Sequence, residues 1–166
     1  MRGFINRWVA GLVALAALAQ PGPSRADPKK ADDGRERLSG KWQVAAWEHD
    51  GEKLPVLFAE VVELDAKAGT YRMRLAVPLV GGLDHKGTFQ IVGVDDGVFR
   101  VDLEYTATGP VGESNRTATS EHKEKAIWKL VGKDELWVCR TEGKDRPDQF
   151  ETKKGDGRTV EVFKRK

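Results

Sequence analysis

The residues of this 166-residue chain with the most chemistry in them are three histidines, one cysteine, three downstream serines and a set of turn aspartates. His49, His85 and His122 sit in or beside turn signals, and no pair has the helical spacing of a zinc site. They read as solvated histidines, and no metal is expected. Asp95-Asp96-Gly97 lacks the alternating oxygen ligands of a calcium loop, so turn chemistry explains it better. No Gly-x-Ser-x-Gly surrounds Ser39, Ser114 or Ser120, and no glycine-rich phosphate loop is present. Cys139 with a distant histidine would make a nucleophile and base, but its strand context favours a buried small hydrophobe. Carboxylate pairs across a barrel cannot be read from spacing along the chain. Glu104 falls on the wet face of its strand. The expectation is a protein that is not an enzyme and carries no cofactor.

The elements that would position these residues begin after a leader. Arg2 and Arg7 precede an apolar run from Trp8 to Ala19, too short to span a bilayer comfortably. Small residues follow, with cleavage expected after Ala26 or, earlier, after Ala19. Residues 1–26 therefore read as a secretory signal peptide and the protein as exported, periplasmic or secreted, with no membrane insertion once the signal is removed. Removal takes Arg2, Arg7 and Arg25 and leaves 25 basic against 26 acidic side chains. With signs interspersed, the clustered positive field that nucleic acid needs is missing. One cysteine allows no internal disulfide, so the domain must be held by its core. Residues 27–37 are polar and charged and read as a flexible linker.

From Leu38 to the end, strand patterns and turn signals alternate. Trp42, Val44 and Ala46 fall on one face of a first strand that Gly40 opens and Asp50-Gly51 turns. Trp42 is large enough to plug one end of a small barrel. Val56 to Leu64 is either a short helix across a barrel end or a linker into a strand. Tyr71, Met73, Leu75 and Val77 alternate with polar or small residues, and Pro78 to Asp84 breaks the pattern. Gly87 to Ile91 is the next strand, and Asp95-Asp96-Gly97 is a hairpin signal. Phe99, Val101, Leu103 and Tyr105 then give the cleanest alternation in the chain. Thr106 to Glu121 is the longest loop candidate, with a formal glycosylation acceptor at Asn115-Arg116-Thr117. Ala126 to Val131, Leu136 to Cys139, Asp148 to Glu151 and Thr159 to Phe163 complete the strands. About eight or nine short strands without a long helix predict an all-β, antiparallel up-and-down barrel of about eight strands, with one short helix at most. A β-sandwich is the alternative.

Leu38-Ser39-Gly40-Lys41-Trp42-Gln43-Val44 has the Gly-x-Trp form that opens lipocalin barrels. Asp50-Gly51, Leu54-Pro55, Asp134 to Cys139, Asp145-Arg146-Pro147-Asp148-Gln149-Phe150 and Val162 to Arg165 follow in order. Together they make residues 38–166 resemble a small exported lipocalin-like domain of unknown function, abundant in planctomycete bacteria. The chain departs from that family's Pro-x-x-Ile-Asp segment, where Gly97 to Leu103 stands instead. The resemblance implies a lipocalin-like barrel and export, and no activity. It also implies that Arg165 packs its guanidinium over Trp42 and ties the chain ends together, so that Gly40, Trp42 and Arg165 are the residues expected to close the barrel. Arg146, before Pro147, is either an arginine bonded to turn carbonyls or an anion contact at the barrel rim, suited to an apolar ligand with a carboxylate head.

The inward residues Met73, Leu75, Phe89, Phe99, Tyr105 and Trp128 could line a cavity or fill it. The first reading is a binding protein for a small apolar or amphipathic molecule. The second is a filled barrel of the cell envelope that contacts another protein through its loops, Thr106 to Glu121 among them.

Overall fold

Among the described residues, nine strands in one continuous antiparallel order carry the alternation described above into three dimensions. A computed structural model describes residues 34–56, 60–77, 81–111 and 114–166. The expected signal segment and the linker up to residue 33 lie outside the described residues. The strands are β1 (Gly40–His49), β2 (Glu52–Leu54), β3 (Glu60–Asp65), β4 (Thr70–Val77), β5 (Gly81–Asp95), β6 (Val98–Val111), β7 (Ser114–Val131), β8 (Glu135–Thr141) and β9 (Arg158–Arg165). From β3 to β9 each pairs with the next, and β9 returns to β1 from Trp42↔Arg165 to His49↔Thr159. β1 pairs with β3 through its first half and with the short β2 through its second. The result is a closed eight-stranded barrel with one extra strand and a single helical turn at residues 34–36. Closure leaves the barrel without the open edges that a flat sheet of this length would carry.

One end of the barrel is plugged. Trp42 and Leu38 are fully buried there, and the Trp42 Nε1–H donates to the Leu38 carbonyl at 2.9 Å. The Arg165 guanidinium carbon lies 4.2 Å from the centre of the Trp42 ring. Its Nη1 donates to the Ser39 carbonyl at 2.9 Å and its Nη2 to the Arg37 carbonyl at 2.6 Å. Gly40, at φ +133°, leaves room for this arginine, since a Cβ there would stand 2.7 Å from Arg165 Nη1. Residues 34–36, part of the polar stretch before the barrel, form the helical turn, and Arg37 after it donates to the Gly132 carbonyl. Asp50-Gly51 and Asp96-Gly97 adopt positive φ at both positions, the geometry that matches a tight hairpin to the twist of its strands.

Four local expectations are corrected. Ala46 is exposed, because a bulge at Ala45 shifts the register and turns Trp47 toward the core instead. The expected loop from Thr106 to Glu121 is strand over its described residues, 106–111 and 114–121. It forms the far arms of β6 and β7, paired from Thr106↔Glu121 to Pro110↔Thr117. Its threonines suit a strand, but beyond the barrel mouth there is no core to impose an apolar alternation. The alternative of a helix over Val56 to Leu64 gives way to β3, with residues 57–59 outside the described set. Asp148 to Glu151 is a bend rather than a strand.

That bend belongs to a strap, residues 142–157, which covers the outer wall of β7, β8 and β9. Ile127, Cys139 and Val160 point outward and form a second small core, with Phe150 and Val98 packed on it. Phe150 meets Trp137 edge to face at 6.2 Å. Arg146 fastens the strap, donating to the Ala126 carbonyl at 2.8 Å and also to the Val101 carbonyl and the Asp102 carboxylate. Cys139 is therefore a buried hydrophobe, and burial pushes its thiol up to about 11.

Candidate functional site

The alternation that fills the barrel does not stop at its apolar residues. Along β7 the inward positions run Trp128, Ala126, Glu124. Along β8 they run Leu136, Val138, Arg140, and along β9, Phe163 and Glu161. Arg140 lies opposite Ala126 and opposite Thr159, so Glu124 and Glu161 are its diagonal neighbours on either side. Its Nε donates to Glu161 Oε2 at 3.1 Å and its Nη2 to Glu161 Oε1 at 3.0 Å. Its Nη1 donates to both Glu124 oxygens, at 2.9 and 3.1 Å. Glu124 is 6% exposed and Glu161 3%. Burial pulls the Arg140 pKa down, but attraction to Glu161 and Glu124 outweighs it and holds the guanidinium well above its ordinary value.

Three aromatic rings stack beside this cluster. Tyr105 lies between His85, at 5.1 Å, and His122, at 4.9 Å, and its hydroxyl donates to Glu124 Oε1 at 2.6 Å. Gly87 makes room for that arrangement: a Cβ there would stand 2.5 Å from the Tyr105 Cβ. Tyr71 meets Tyr105 edge to face at 6.0 Å. Burial, then the hydrogen bond to Glu124, raises the Tyr105 pKa; burial, then the neighbouring Tyr105, raises that of Tyr71. Both are fixed as neutral phenols. Burial lowers the His85 pKa and favours the neutral ring.

Two spaces meet at this cluster. An apolar cavity of about 50 Å³ runs inward from it, walled by Val62, Leu64, Met73, Val138 and Phe163 among others. A solvent-open cleft of about 500 Å³ lies outside, lined by His49, Glu142, Gly143, Asp156, Gly157 and Thr159. Tyr105, Glu124 and Arg140 line both. The barrel thus has an open end whose floor is ionic and whose interior is apolar. Two cavity residues carry unpartnered polar atoms, Trp128 Nε1 and His85 Nδ1. Among the described residues, no group of three or more His, Cys, Asp or Glu is placed to hold a metal ion.

Of the residues singled out from sequence, Met73, Tyr105 and Trp128 line the cavity. Phe89 and Phe99 do not. They fill the interior toward the plugged end, Phe89 against Trp128 at 5.0 Å and Phe99 against Gly34. Leu75 occupies a β4 position opposite Glu60 and Leu83, and its side chain lies outside the described residues. Gly40, Trp42 and Arg165 stand together at the plugged end. Arg146 is not an open rim contact for an anion, because carbonyls and Asp102 take up its guanidinium. Sequence reasoning missed the convergent polar group inside the barrel, Glu124, Arg140 and Glu161. Extending the period-two pattern two residues past Ala126, Val138 and Phe163 would have found all three.

A closed barrel of this kind is compatible with ligand binding or with an interaction module. Comparison with protein-family models, with curated proteins and with solved structures found no match for this chain.

Proposed function

We propose that this protein is an exported, non-enzymatic binding protein that takes one small amphipathic molecule at the open end of its barrel. The observation that carries this reading is the junction of the two spaces: an apolar cavity and a solvent-open cleft share Tyr105, Glu124 and Arg140. A ligand seated there keeps its polar group at the ionic floor and its apolar part inside. The interior space is far below the roughly 300–1,000 Å³ of a drug-sized pocket, so the ligand's buried part is short. The unpartnered His85 Nδ1 on the cavity lining supports a binding role, since a buried polar atom without a partner costs free energy in the unliganded protein. The lipocalin-like resemblance and the leader are in keeping with export and with a barrel that binds.

The second reading, a filled barrel that contacts another protein, draws on that same small volume. Calorimetric titration of the protein with hexan-1-ol separates the two. Saturable one-site binding supports the ligand reading. Absence of binding, with no small molecule seen by native mass spectrometry on protein purified from the exported fraction, removes it and leaves the interaction module.

A further inference from the structure

The charge and hydrogen-bond balance at the cavity floor points to the chemical class of the ligand. We infer that the site is built for a small organic amine: a cationic head at Glu124 and Glu161, with a short apolar tail in the cavity. This deepens the reading of the open end as a binding site and rests on it.

The cluster holds two carboxylates against one guanidinium, all within the barrel wall. Arg140 spends its donors on them: one from Nε, two from Nη1 and one from Nη2. A guanidinium has five N–H groups, so one remains. The two carboxylates offer about eight lone-pair positions. Arg140 fills four of them and the Tyr105 hydroxyl one. The floor is therefore rich in acceptors, poor in donors and negative by one charge in this count.

The surroundings keep that sign. Among the residues lining the outer cleft, Arg140 is the only lysine or arginine, whereas Glu124, Glu142 and Asp156 all face it. Glu142 is paired with His122 at 2.9 Å, and Asp156 stands 3.8 Å from Arg158. Neither partner neutralises Glu124 or Glu161. The walls are aromatic as well, with Tyr71, Tyr105 and Trp128, and such faces attract a cation as carboxylates do. Trp128 is 96% buried on the cavity lining, and His85 on the same lining carries an unpartnered Nδ1 that can accept from an N–H donor when the neutral ring holds its proton on Nε2, an observation independent of the acidic pair.

An ammonium head supplies the donors and the positive charge that the floor lacks, and hydrogen bonds between charged partners are about twice as strong as neutral ones. A carboxylate head meets two carboxylates and a guanidinium already spent on them. A hydroxyl head satisfies the acceptors without the charge. Because the cleft is open to water, the head need not be stripped of solvent completely, which limits the desolvation cost.

The test is a series of three ligands with the same tail: hexan-1-amine, hexan-1-ol and hexanoate, titrated calorimetrically into the full mature chain at pH 7 and low salt. The expected order is amine tighter than alcohol by at least tenfold, with hexanoate weaker than both. Raising the salt should erode the amine's advantage and leave the alcohol's affinity nearly unchanged. In Glu124→Gln the preference for amine over alcohol should shrink at least fivefold. Circular dichroism confirms that the variant is folded, and the wild-type series stands without it. Binding of hexanol with hexanoate equal to or better than the amine overturns the amine assignment while the binding site survives. Absence of binding by all three removes the site and this inference with it.

Discussion

The two ends of the barrel solve the same problem in opposite ways. At the plugged end, polar groups serve the core: Arg165 caps Trp42, and its donors go to the carbonyls of Ser39 and Arg37. No carboxylate is needed, because the arginine closes main-chain hydrogen bonds at the barrel's edge. At the open end, Arg140 faces two buried carboxylates and the apolar core stops short of it. Burying such a trio gives little net stability, since desolvation consumes most of the Coulomb gain. The lesson is that one residue type, arginine, closes one end over an aromatic ring and at the other end lies between two carboxylates.

That contrast breaks most sharply at Trp42. Replacing Trp42 with Ala should cost about 3–5 kcal/mol, read from urea unfolding, because the ring is fully buried. Arg140→Met should cost about 3 kcal/mol, since it strands two carboxylates that are almost fully buried. The informative partner is the triple variant Glu124→Leu, Arg140→Met, Glu161→Leu. It should unfold at or above the wild-type urea midpoint and lose ligand binding. A triple variant much less stable than wild type would make the cluster structural and erase the distinction between the ends.

Smaller effects sharpen the same picture. Gly40→Ala should cost about 1–3 kcal/mol, because the left-handed backbone at φ +133° and the Cβ placed against Arg165 both oppose it. The least effect is expected from pH. Burial holds the His85 pKa below the unfolded value of about 6.5, so the folded state favours the neutral ring. Above that pH the ring is neutral in both states and contributes no pH dependence. As pH falls below it the unfolded chain takes up the proton first, so stability declines. The melting temperature should fall between pH 7.5 and 5.5 by more in wild type than in His85→Gln. Equal declines would remove His85 from the account.

The fold was legible because its core residues alternate. Phe99, Val101, Leu103 and Tyr105 are all buried, as their spacing demands. The β6–β7 arm was not, since Thr106 to Glu121 lies past the end of the core and neither face has a reason to be apolar. The candidate site hid for the converse reason. Glu124, Arg140 and Glu161 hold inward positions, but a charged residue in an alternating pattern ordinarily marks where the buried face ends. Arg146 was legible only as a choice between carbonyl bonding and an anion contact: its donors go to carbonyls, but these belong to strands β6 and β7, far from it in sequence, which spacing along the chain does not show.

Central to the account is the claim that ligand enters at one end only, and the indole N–H groups report on both. Trp42 Nε1–H is bonded to Leu38 at the plugged end, and Trp128 Nε1–H is unpartnered on a residue lining the cavity. In a proton–nitrogen correlation spectrum of the labelled protein, titration with hexan-1-amine should move the Trp128 indole peak saturably and leave the Trp42 peak in place. A Trp128 peak that stays fixed, or one that moves no more than Trp42, would contradict the claim.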